Sequence, residues 1–426
     1  MFQAWRRRLI IGLSAILIAA TLPGVPLAPV SRAWAADPVK VGFSMNITGG
    51  GAAVGKQILA GIELWRDDVN ARGGLLRRPI QLVYYDDQSN PANVPGIYAK
   101  LLDVDKVDLL VGPYATNFVA PVIPALMQRG LTTVAILANA ANSEFHYDRY
   151  FVMSPNGPDP KKSYSTGFFE LAAAQSPKPK TVALLGLDAE YGKNAVDGAR
   201  ENAQAMGFEV VYDRSYPPTT TDFAPVMRAV KATNPDLVYA AAYPPDTVGI
   251  VRAANEVGLD VKMFGGAFVG LLATPIKTQL GPLMNGIVGY IPYLPAKSLI
   301  FPGTQELLTR YQAVAATQGI DPLGYTFPPI GYAACEVLAQ AVAETKSLDH
   351  GKLAQYMHKA SFKTVIGEMS FGPDGEWTKP GEMFYQFQHV SGNGLDQFKG
   401  DATQPLLWPA KLKTGELIYP YAAAKK

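Results

Sequence analysis

The chain has 426 residues, of which 48% are hydrophobic and 17% are charged, and its formal net charge at pH 7 is +2. This length exceeds what one hydrophobic core usually organises, so we expect two domains. The near-neutral charge lacks the basic footprint of proteins that bind nucleic acids or anionic membranes, so neither is an expected partner.

The first 35 residues have the three parts of a secretory signal peptide. The basic stretch MFQAWRRRL precedes the apolar run LIIGLSAILIAA, which is too short to span a bilayer. Ala33-Trp34-Ala35 then supplies small residues for cleavage. We therefore predict that residues 1–35 are a signal peptide cleaved near Ala35. Its loss removes four arginines, and the formal charge of the exported chain becomes −2.

The stretch GGGAAVGKQ follows the first predicted strand and nearly matches the phosphate-binding pattern G-x-x-x-x-G-K-[ST]. Gly50, Gly55 and Lys56 fit the pattern, but Gln57 replaces the hydroxyl that holds Mg²⁺. We interpret the glycines as a tight turn that lets the backbone approach a small ligand. Residues Asn46 to Val54 are then one wall of a pocket, and Lys56 lies on a solvated helix face.

Short apolar strands alternate with amphipathic helices along the chain. The predicted strands span residues 39–44, 79–87, 107–112, 131–137, 181–187, 208–216, 236–243, 261–266 and 286–291. The predicted helices span residues 55–71, 91–105, 117–129, 190–206, 222–233, 245–257, 303–318 and 330–346. A Pro- and Gly-rich break at 154–162 separates two similar α/β units, in which the alternation predicts right-handed crossovers and mostly parallel sheets.

Ligands of open parallel sheets bind at the carboxyl ends of the strands, so the residues there are candidate contacts. Tyr114, Ala115 and Thr116 follow the third strand. Thr116 is predicted to cap a helix that starts at Asn117, where free N–H groups attract an anion. A hydroxyl at that place suits a carboxylate, and a purely capping role for Thr116 remains the alternative.

Other candidates follow the later strands. They are Asn139, Ala140 and Ala141 after the fourth strand, and Tyr191, Tyr243, Ala267 and Phe268 in the second unit. Three of these are aromatic and face the anion-ready helix end of the first unit, which suggests a pocket. The single cysteine, Cys335, is predicted to be a buried structural thiol. The four histidines are scattered along the chain and lack the spacing of metal ligands. No metal or cofactor is expected.

Several motifs in order resemble the periplasmic solute-binding proteins of branched-chain amino acid ABC transporters, the leucine/isoleucine/valine-binding type. They are AGIELWRDDVNARGGL, YYDDQSNP, LLVGP, DAEYGKN, TDFAPVMRAVKATNPDLVYAAAY, VRAANEVGL and GEMSFGPDGE. The resemblance implies a type I periplasmic binding protein of two lobes, each a parallel-sheet α/β sandwich, with three hinge crossovers. It also implies ligand capture by hinge closure, a permease partner, a periplasmic location and a monomer.

The hinge crossovers would fall near Pro155, Pro292 and Pro380-Gly381. The first lobe would then comprise residues 37–155 plus 293–380, and the second lobe residues 156–292 plus 381–426. The tail at 404–421 looks like an extended segment packed along the second lobe.

By this resemblance, the hydroxyl that holds the ligand carboxylate in the family falls on Thr116, with Ala115 beside it. The family's aromatic ligand contacts fall on Tyr191 and Tyr243. The acid that receives the ligand ammonium in amino-acid binders falls at Ala267.

The partnering threonine of the first lobe falls at Ala140 or Ala141, so both ammonium partners are missing. We therefore expect a small carboxylate without an α-amine, enclosed by Ala267-Phe268 and the two tyrosines. Aromatic acids are favoured. An aliphatic keto or fatty acid, or a urea- or amide-like solute, is the alternative.

Other functions stay open at this point. An amino-acid binder would need an acid elsewhere in the cleft, and Asp188, Glu190 and Asp246 are the candidates. An enzyme would need a nucleophile–base pair or converging carboxylates, whereas Asp86-Asp87 are interpreted as structural or rim residues. A sensor subunit would use the same closure as a transport protein.

Overall fold

The structure is a computed structural model that describes residues 37–425. The predicted signal peptide and its cleavage near Ala35 lie outside the described residues. Among residues 37–425, no helix is both long enough and apolar enough to cross a membrane.

The first sheet has five parallel strands in the order β2-β1-β3-β4-β5. Their bounds are β1 Val39–Met45, β2 Ile80–Asp86, β3 Leu109–Tyr114, β4 Thr133–Ile136 and β5 Tyr150–Met153. Every residue of β3, β4 and β5 is buried, as expected where helices cover both faces of a parallel sheet.

Seven helices belong to this first lobe, three of which come from late in the chain. They are α1 Ala52–Ala71, α2 Val94–Asp103, α3 Thr116–Val119, α4 Ile123–Arg129, α10 Thr304–Gln318, α11 Phe327–Thr345 and α12 His350–Met357. The apolar face of α1, marked by Ile58, Ile62 and Trp65, is buried, and α1 packs against α11. Cys335 on α11 is a buried free thiol, as predicted.

The second sheet has seven strands in the order β14-β13-β10-β9-β8-β6-β7. Their bounds are β6 Thr181–Leu187, β7 Glu209–Tyr216, β8 Leu237–Ala242, β9 Met263–Phe268, β10 Ile287–Ile291, β13 Met383–Gln386 and β14 Leu406–Trp408. Strands β6 to β10 are parallel to one another. Strand β13 pairs antiparallel with β10, and β14 pairs antiparallel with β13. The tail that was predicted as extended therefore contributes β14 to the edge of this sheet.

Five helices accompany the second sheet and complete the second lobe. They are α5 Pro160–Ala173, α6 Glu190–Ala205, α7 Ala224–Ala232, α8 Pro244–Glu256 and α9 Thr274–Leu280. A short hairpin, β11 Ser361–Thr364 with β12 Gly367–Ser370, lies between the last first-lobe helix and β13. The architecture matches the predicted fold class of two parallel-sheet α/β cores.

The chain passes between the two sheets three times, after β5, after β10 and before β13. The first and third passages touch, because the Gly381 amide donates to the Pro155 carbonyl at 2.8 Å. The predicted lobe boundaries at these passages remain a prediction.

Several segments differ from the sequence prediction, which also lacked α9, α12, β11, β12 and β13. The single helix expected at 117–129 is broken into α3, a 3-10 turn at Ala120–Val122 and α4. Pro121 and Pro124 explain the break, because proline has no N–H to continue the helical hydrogen bonds. Strand β5 and helix α5 were not predicted. Helix α5 starts inside the Pro-rich break, with Pro160 in the first turn.

Candidate ligand-binding site

The carboxyl ends of both parallel sheets border a cavity of about 380 Å³ that is lined from both lobes. We call it the outer cavity. Its lining residues are Asn46, Gly50, Gly51, Ser89, Pro91, Tyr114, Ala115, Asn117, Phe118, Leu187, Ala189, Pro218, Tyr243, Pro244, Pro245 and Asp246. The site thus lies at the strand ends, where ligands of open α/β sheets bind.

The glycine stretch after β1 contributes one wall of the outer cavity through Gly50 and Gly51. A Cβ atom at Gly50 would lie 3.2 Å from the Pro245 side chain of the second lobe, so the loop brings the two lobes into close approach. Lys56 is exposed, as predicted. Val54 is buried in the first-lobe core and lines neither cleft cavity, so the predicted pocket wall does not extend to it.

The corner between β3 and α3 differs in detail from the prediction. Thr116 does not cap the helix, because it is the first residue of α3 and Ala115 takes the N-cap position with φ +71°. The Thr116 Oγ accepts instead from the Asn139 amide at 2.8 Å. That bond ties the end of β3 to the loop after β4. The Thr116 hydroxyl keeps its own proton for donation.

Two of the hydrogen bonds between the lobes tie helix α6 to the first lobe. The Tyr191 amide donates to Asn117 Oδ1 at 2.9 Å, and Asn194 Nδ2 donates to the Asn139 carbonyl at 3.0 Å. The Asn139 side-chain amide is buried and has no partner among residues 37–425. Asn117 and Asn194 were not predicted as site residues. These bonds hold the first turns of α6 against α3 and against the loop after β4.

A second, inner cavity lies deeper in the cleft and is mostly aromatic. It is lined by Tyr114, Ala115, Leu137, Tyr164, Tyr191, Tyr243, Val269, Tyr290 and Phe327. The Tyr191 and Tyr243 rings stack with centroids 4.8 Å apart, and the Tyr164 and Tyr290 rings stack at 4.7 Å. Tyr191 also donates to the Ala267 carbonyl at 2.8 Å. The remaining space is about 10 Å³, which is room for one water molecule.

Burial raises the pKa of the inner-cavity tyrosines, including Tyr191 and Tyr243, well above its ordinary value, so these hydroxyls stay neutral donors. The Tyr243 hydroxyl lies beside Thr116 and the Asn117 amide, both of which partly offset that rise in pKa. It has no hydrogen-bond partner among the described residues. This corner therefore gathers hydroxyl and amide donors around one point of the cleft.

Some predicted contacts line neither cavity, among them Thr116 and Asn139. Ala140 and Ala141 are buried in the turn after β4, and neither lines a cavity. Ala267 contributes only its carbonyl oxygen, and Phe268 packs on Phe264 with ring centroids 5.7 Å apart. The strand reaches Phe268, two residues beyond its predicted end, so the neighbouring Val269 faces the inner cavity instead.

Of the three acids considered for an amino-acid ligand, Asp246 lines the outer cavity. Its Oδ2 accepts from the Tyr216 hydroxyl at 3.1 Å, and burial raises its pKa to about 6. Asp188 is half exposed and pairs with Lys193 at 3.2 Å. Glu190 accepts from Asn194 at 3.3 Å. Asp246 is therefore the acid with direct access to a cleft ligand.

No group of three or more His, Cys, Asp or Glu side chains that could hold a metal ion occurs within residues 37–425.

A family model for periplasmic binding proteins matches residues 38–393. A Leu/Ile/Val-binding protein homolog of Brucella suis is 24% identical over 371 residues, which cover 86% of this chain and 95% of the relative.

Two solved structures illustrate the range of ligands on this fold. A branched-chain amino acid transporter substrate-binding protein of Streptococcus pneumoniae, in complex with isoleucine, has a TM-score of 0.67 at 20% identity and covers 90% of this chain and 100% of its own. A solute-binding protein of an ABC transporter from Rhodopseudomonas palustris, in complex with p-hydroxybenzoic acid, has a TM-score of 0.72 at 22% identity. It covers 92% of this chain and 100% of its own.

The family model spans most of the chain, and both solved structures share its fold. Such proteins bind small molecules outside the cytoplasm and work with ABC permeases. A Leu/Ile/Val-binding protein homolog is thus among the relatives, in agreement with the resemblance in the sequence motifs, and the chain belongs to the periplasmic binding protein family.

Proposed function

We propose that this protein is the solute-binding component of an ABC uptake system and that its cleft captures a small carboxylate without an α-amine, with an aromatic acid favoured. The observation that carries the proposal is the composition of the inner cavity. Six of its nine lining residues are aromatic and none is charged. Aromatic rings in such contacts add about 0.5–1.5 kcal/mol per pair beyond the burial of their area.

The ligand carboxylate has a natural place at the β3–α3 corner. The Tyr243 hydroxyl lacks a protein partner there, and the Thr116 hydroxyl has a proton to give. Hydrogen bonds to a charged group contribute about 1.5–3 kcal/mol each. Two neutral hydroxyls therefore suffice to orient a monocarboxylate with its body toward the rings.

No carboxylate lines the inner cavity, so an ammonium group there would have no acid in direct contact. The family position for that acid is Ala267, which lies fully buried in β9. Leaving one partner of a buried ion pair unmatched costs about 3–5 kcal/mol. This penalty selects against α-amino acids that bind wholly within the inner cavity.

Entry of a ligand requires the rings or the lobes to move apart, because the inner cavity has room for about one water molecule. The Tyr191–Asn117 and Asn194–Asn139 bonds then re-form when the lobes close over the ligand. This is the hinge closure expected of a two-lobed binding protein.

A second candidate function is amino-acid binding, and Asp246 is the observation that favours it. A ligand that reaches from the inner into the outer cavity would bring its ammonium to this carboxylate. The isoleucine-bound and p-hydroxybenzoate-bound neighbours support the two candidates equally. A urea- or amide-type solute, or a sensing role, would use the same cleft.

The remaining features of the proposal are a periplasmic location, a monomeric state and no catalytic activity. Asp87 accepts from Asn46 and Asp86 accepts from Thr48, so these two acids are engaged in shaping the loop after β1. The permease partner follows from the family.

A thermal-shift panel with matched ligand pairs tests this proposal. Each pair has the same body with and without an α-amine: 3-phenylpropanoate with phenylalanine, and 4-methylpentanoate with leucine. A ligand at about 100 times its dissociation constant adds roughly 2.7 kcal/mol of stability, so the acids should raise the melting temperature by several degrees. Phenylalanine and leucine should not. If the amino acids give the larger shifts, the amino-acid candidate replaces ours.

A further inference from the structure

The loop between α10 and α11, residues 319–326, connects the first lobe to the second at a place outside both cleft cavities. We call it the bridging loop. The Thr274 amide, at the start of α9, donates to Asp321 Oδ2 at 2.6 Å, and the two residues are 4% and 3% exposed. The Tyr325 hydroxyl donates to the Lys399 carbonyl at 3.3 Å. The bridging loop therefore contacts two segments of the second lobe.

Contacts within the first lobe fix the shape of the bridging loop. Asp321 Oδ1 accepts from the Leu323 and Gly324 amides at 2.9 Å and 3.2 Å. The Tyr311 hydroxyl of α10 donates to the Asp321 carbonyl at 2.9 Å. One carboxylate oxygen of Asp321 thus holds its own loop, whereas the other oxygen bonds the second lobe. Because the acceptor is held in place beforehand, the bond to Thr274 costs little conformational entropy.

A buried lysine of α9 adds positive charge to this contact. Lys277 lies one turn beyond Thr274, and its ammonium is 6.0 Å from the centroid of the Phe398 ring. Burial lowers the pKa of Lys277 to about 8, and the negative charge of Asp321 partly offsets that effect. The second lobe therefore offers the Asp321 carboxylate both an amide donor and a nearby cation.

The contact adjoins two walls of the inner cavity. Phe327 directly follows the bridging loop and lines that cavity from the first lobe. Val269 shortly precedes α9 and lines it from the second lobe. The two chain segments that meet at Asp321 and Thr274 thus also meet around the inner cavity. A motion that separates these walls acts on the Asp321–Thr274 bond as well.

We propose that Asp321 is a positioning residue for closure, whose carboxylate fastens the closed lobes by accepting the Thr274 amide and so tightens ligand binding. This inference rests on the hinge closure that is part of the proposed function. A hydrogen bond to a charged group is stronger than one between neutral groups. The Asp321 bond therefore contributes more to closure than either neutral bond between α6 and the first lobe.

Two variants break this bond from its two sides. Asp321→Asn keeps an oxygen for the loop amides but turns an NH₂ group toward the Thr274 amide. Thr274→Pro removes that amide at the first position of a helix, where proline is tolerated. Each variant should weaken binding of 3-phenylpropanoate about tenfold in titration calorimetry. The double variant should bind no more weakly than either single variant, because both changes remove the same bond.

The matched control is Asp236→Asn. Asp236 Oδ2 accepts from the Lys180 amide, also at 2.6 Å, but this bond stays within the second lobe. Its loss should leave the affinity for 3-phenylpropanoate unchanged. Equal weakening by Asp236→Asn and Asp321→Asn would show a general effect of losing a carboxylate and would overturn the proposal.

The second measurement follows closure without a ligand. Spin labels at Ala92→Cys and Thr219→Cys report the separation of the lobes, because these exposed residues adjoin Pro91 and Pro218 on opposite sides of the outer cavity. Asp321→Asn should lower the ratio of short to long label distances about tenfold.

The two measurements separate this inference from the proposed ligand. If wild-type protein does not bind 3-phenylpropanoate but Asp321→Asn still lowers the ratio, the ligand class is wrong and the role of Asp321 is supported. Equal ratios in wild type and both single variants would overturn the role of Asp321. Additive losses of affinity in the double variant would also overturn it, because the two residues would then act independently.

Discussion

At the residue scale, the Tyr243 hydroxyl is the most informative atom of the cleft. Its ring stacks on Tyr191, its pKa is raised by burial, and its hydroxyl has no partner among the described residues. A neutral buried donor without an acceptor is costly unless a ligand supplies the acceptor. The β3–α3 corner is thus suited to an anion without any positively charged side chain.

Tyr243→Phe should therefore weaken binding of the acid ligand about tenfold or more, because one charge-assisted hydrogen bond of about 1.5–3 kcal/mol is lost. The ring and its stacking remain, so the unfolding free energy should change little. Titration calorimetry with 3-phenylpropanoate measures the effect. The matched control is Tyr147→Phe, a buried first-lobe tyrosine that bonds Leu131 away from the cleft. Equal affinity of Tyr243→Phe and wild type would remove this hydroxyl from the site.

Asp246 gives the binding a predicted pH dependence. Burial raises its pKa to about 6, so it is ionised at pH 7.5 and largely protonated at pH 5. It lies near enough to Tyr243 to raise the pKa of that hydroxyl, so its charge repels a carboxylate held there. Affinity for an acid ligand should rise severalfold from pH 7.5 to pH 5. Asp246→Asn should bind with little pH dependence, and a wild type that binds more weakly at pH 5 would contradict the account.

At the element scale, the first turns of α6 are bonded to the first lobe at Asn117 of α3 and at the Asn139 carbonyl in the loop after β4. Asn194→Ala removes the bond to the Asn139 carbonyl and should weaken ligand affinity about three- to tenfold, since a neutral hydrogen bond contributes about 0.5–1.5 kcal/mol to closure. Calorimetry of the acid ligand measures it. Asn255→Ala on α8 removes bonds that stay within the second lobe, so it should leave affinity unchanged. Equal effects of the two variants would refute the role in closure.

The alternation of strands and helices, and hence the edge of each sheet where ligands bind, was predictable from sequence. Strand β3 ends at Tyr114 and β8 at Ala242, so the candidates beside them, Ala115 and Tyr243, lie in the cleft. The continuous hydrophobic runs in the sequence were sufficient to locate the ends of these two strands, because every residue of both strands is buried.

Other parts of the site could not be predicted locally. Tyr164, Tyr290 and Phe327 reach the inner cavity from α5, β10 and α11, which are distant in sequence and carry no shared pattern. Thr116 looked like a helix cap, but a tertiary partner, the Asn139 amide, takes its oxygen. Such contacts depend on tertiary packing within and between the lobes, which neither propensity nor periodicity encodes.

At the scale of the whole molecule, buried carboxyls set the pH dependence of stability. Burial raises the pKa of Glu336 to about 7 and that of Glu376 to about 8. A carboxyl with a raised folded-state pKa binds its proton more tightly when folded, so its stabilising contribution is complete below about pH 4 and is lost as the pH rises through the folded-state value. The unfolding free energy should therefore fall between pH 5 and pH 9, by roughly a few kcal/mol.

Urea unfolding across this pH range measures that slope. Glu376→Gln should flatten it, because glutamine cannot ionise in the same site. The exposed Glu416→Gln is the control and should leave the slope unchanged. A wild-type protein that becomes more stable between pH 5 and pH 9 would show that these carboxyls are not the groups that control its stability.

The central claim is that the cleft selects a carboxylate and rejects an α-amine. Titration calorimetry of the exported protein with 3-phenylpropanoate and with phenylalanine measures this selection directly, because the two molecules differ only by the amine. We predict that the acid binds at least a hundredfold more tightly, as expected from about 3–5 kcal/mol for an unmatched buried charge. Phenylalanine that binds as tightly as the acid, with affinity lost in Asp246→Asn, would contradict the claim and assign the cleft to amino acids.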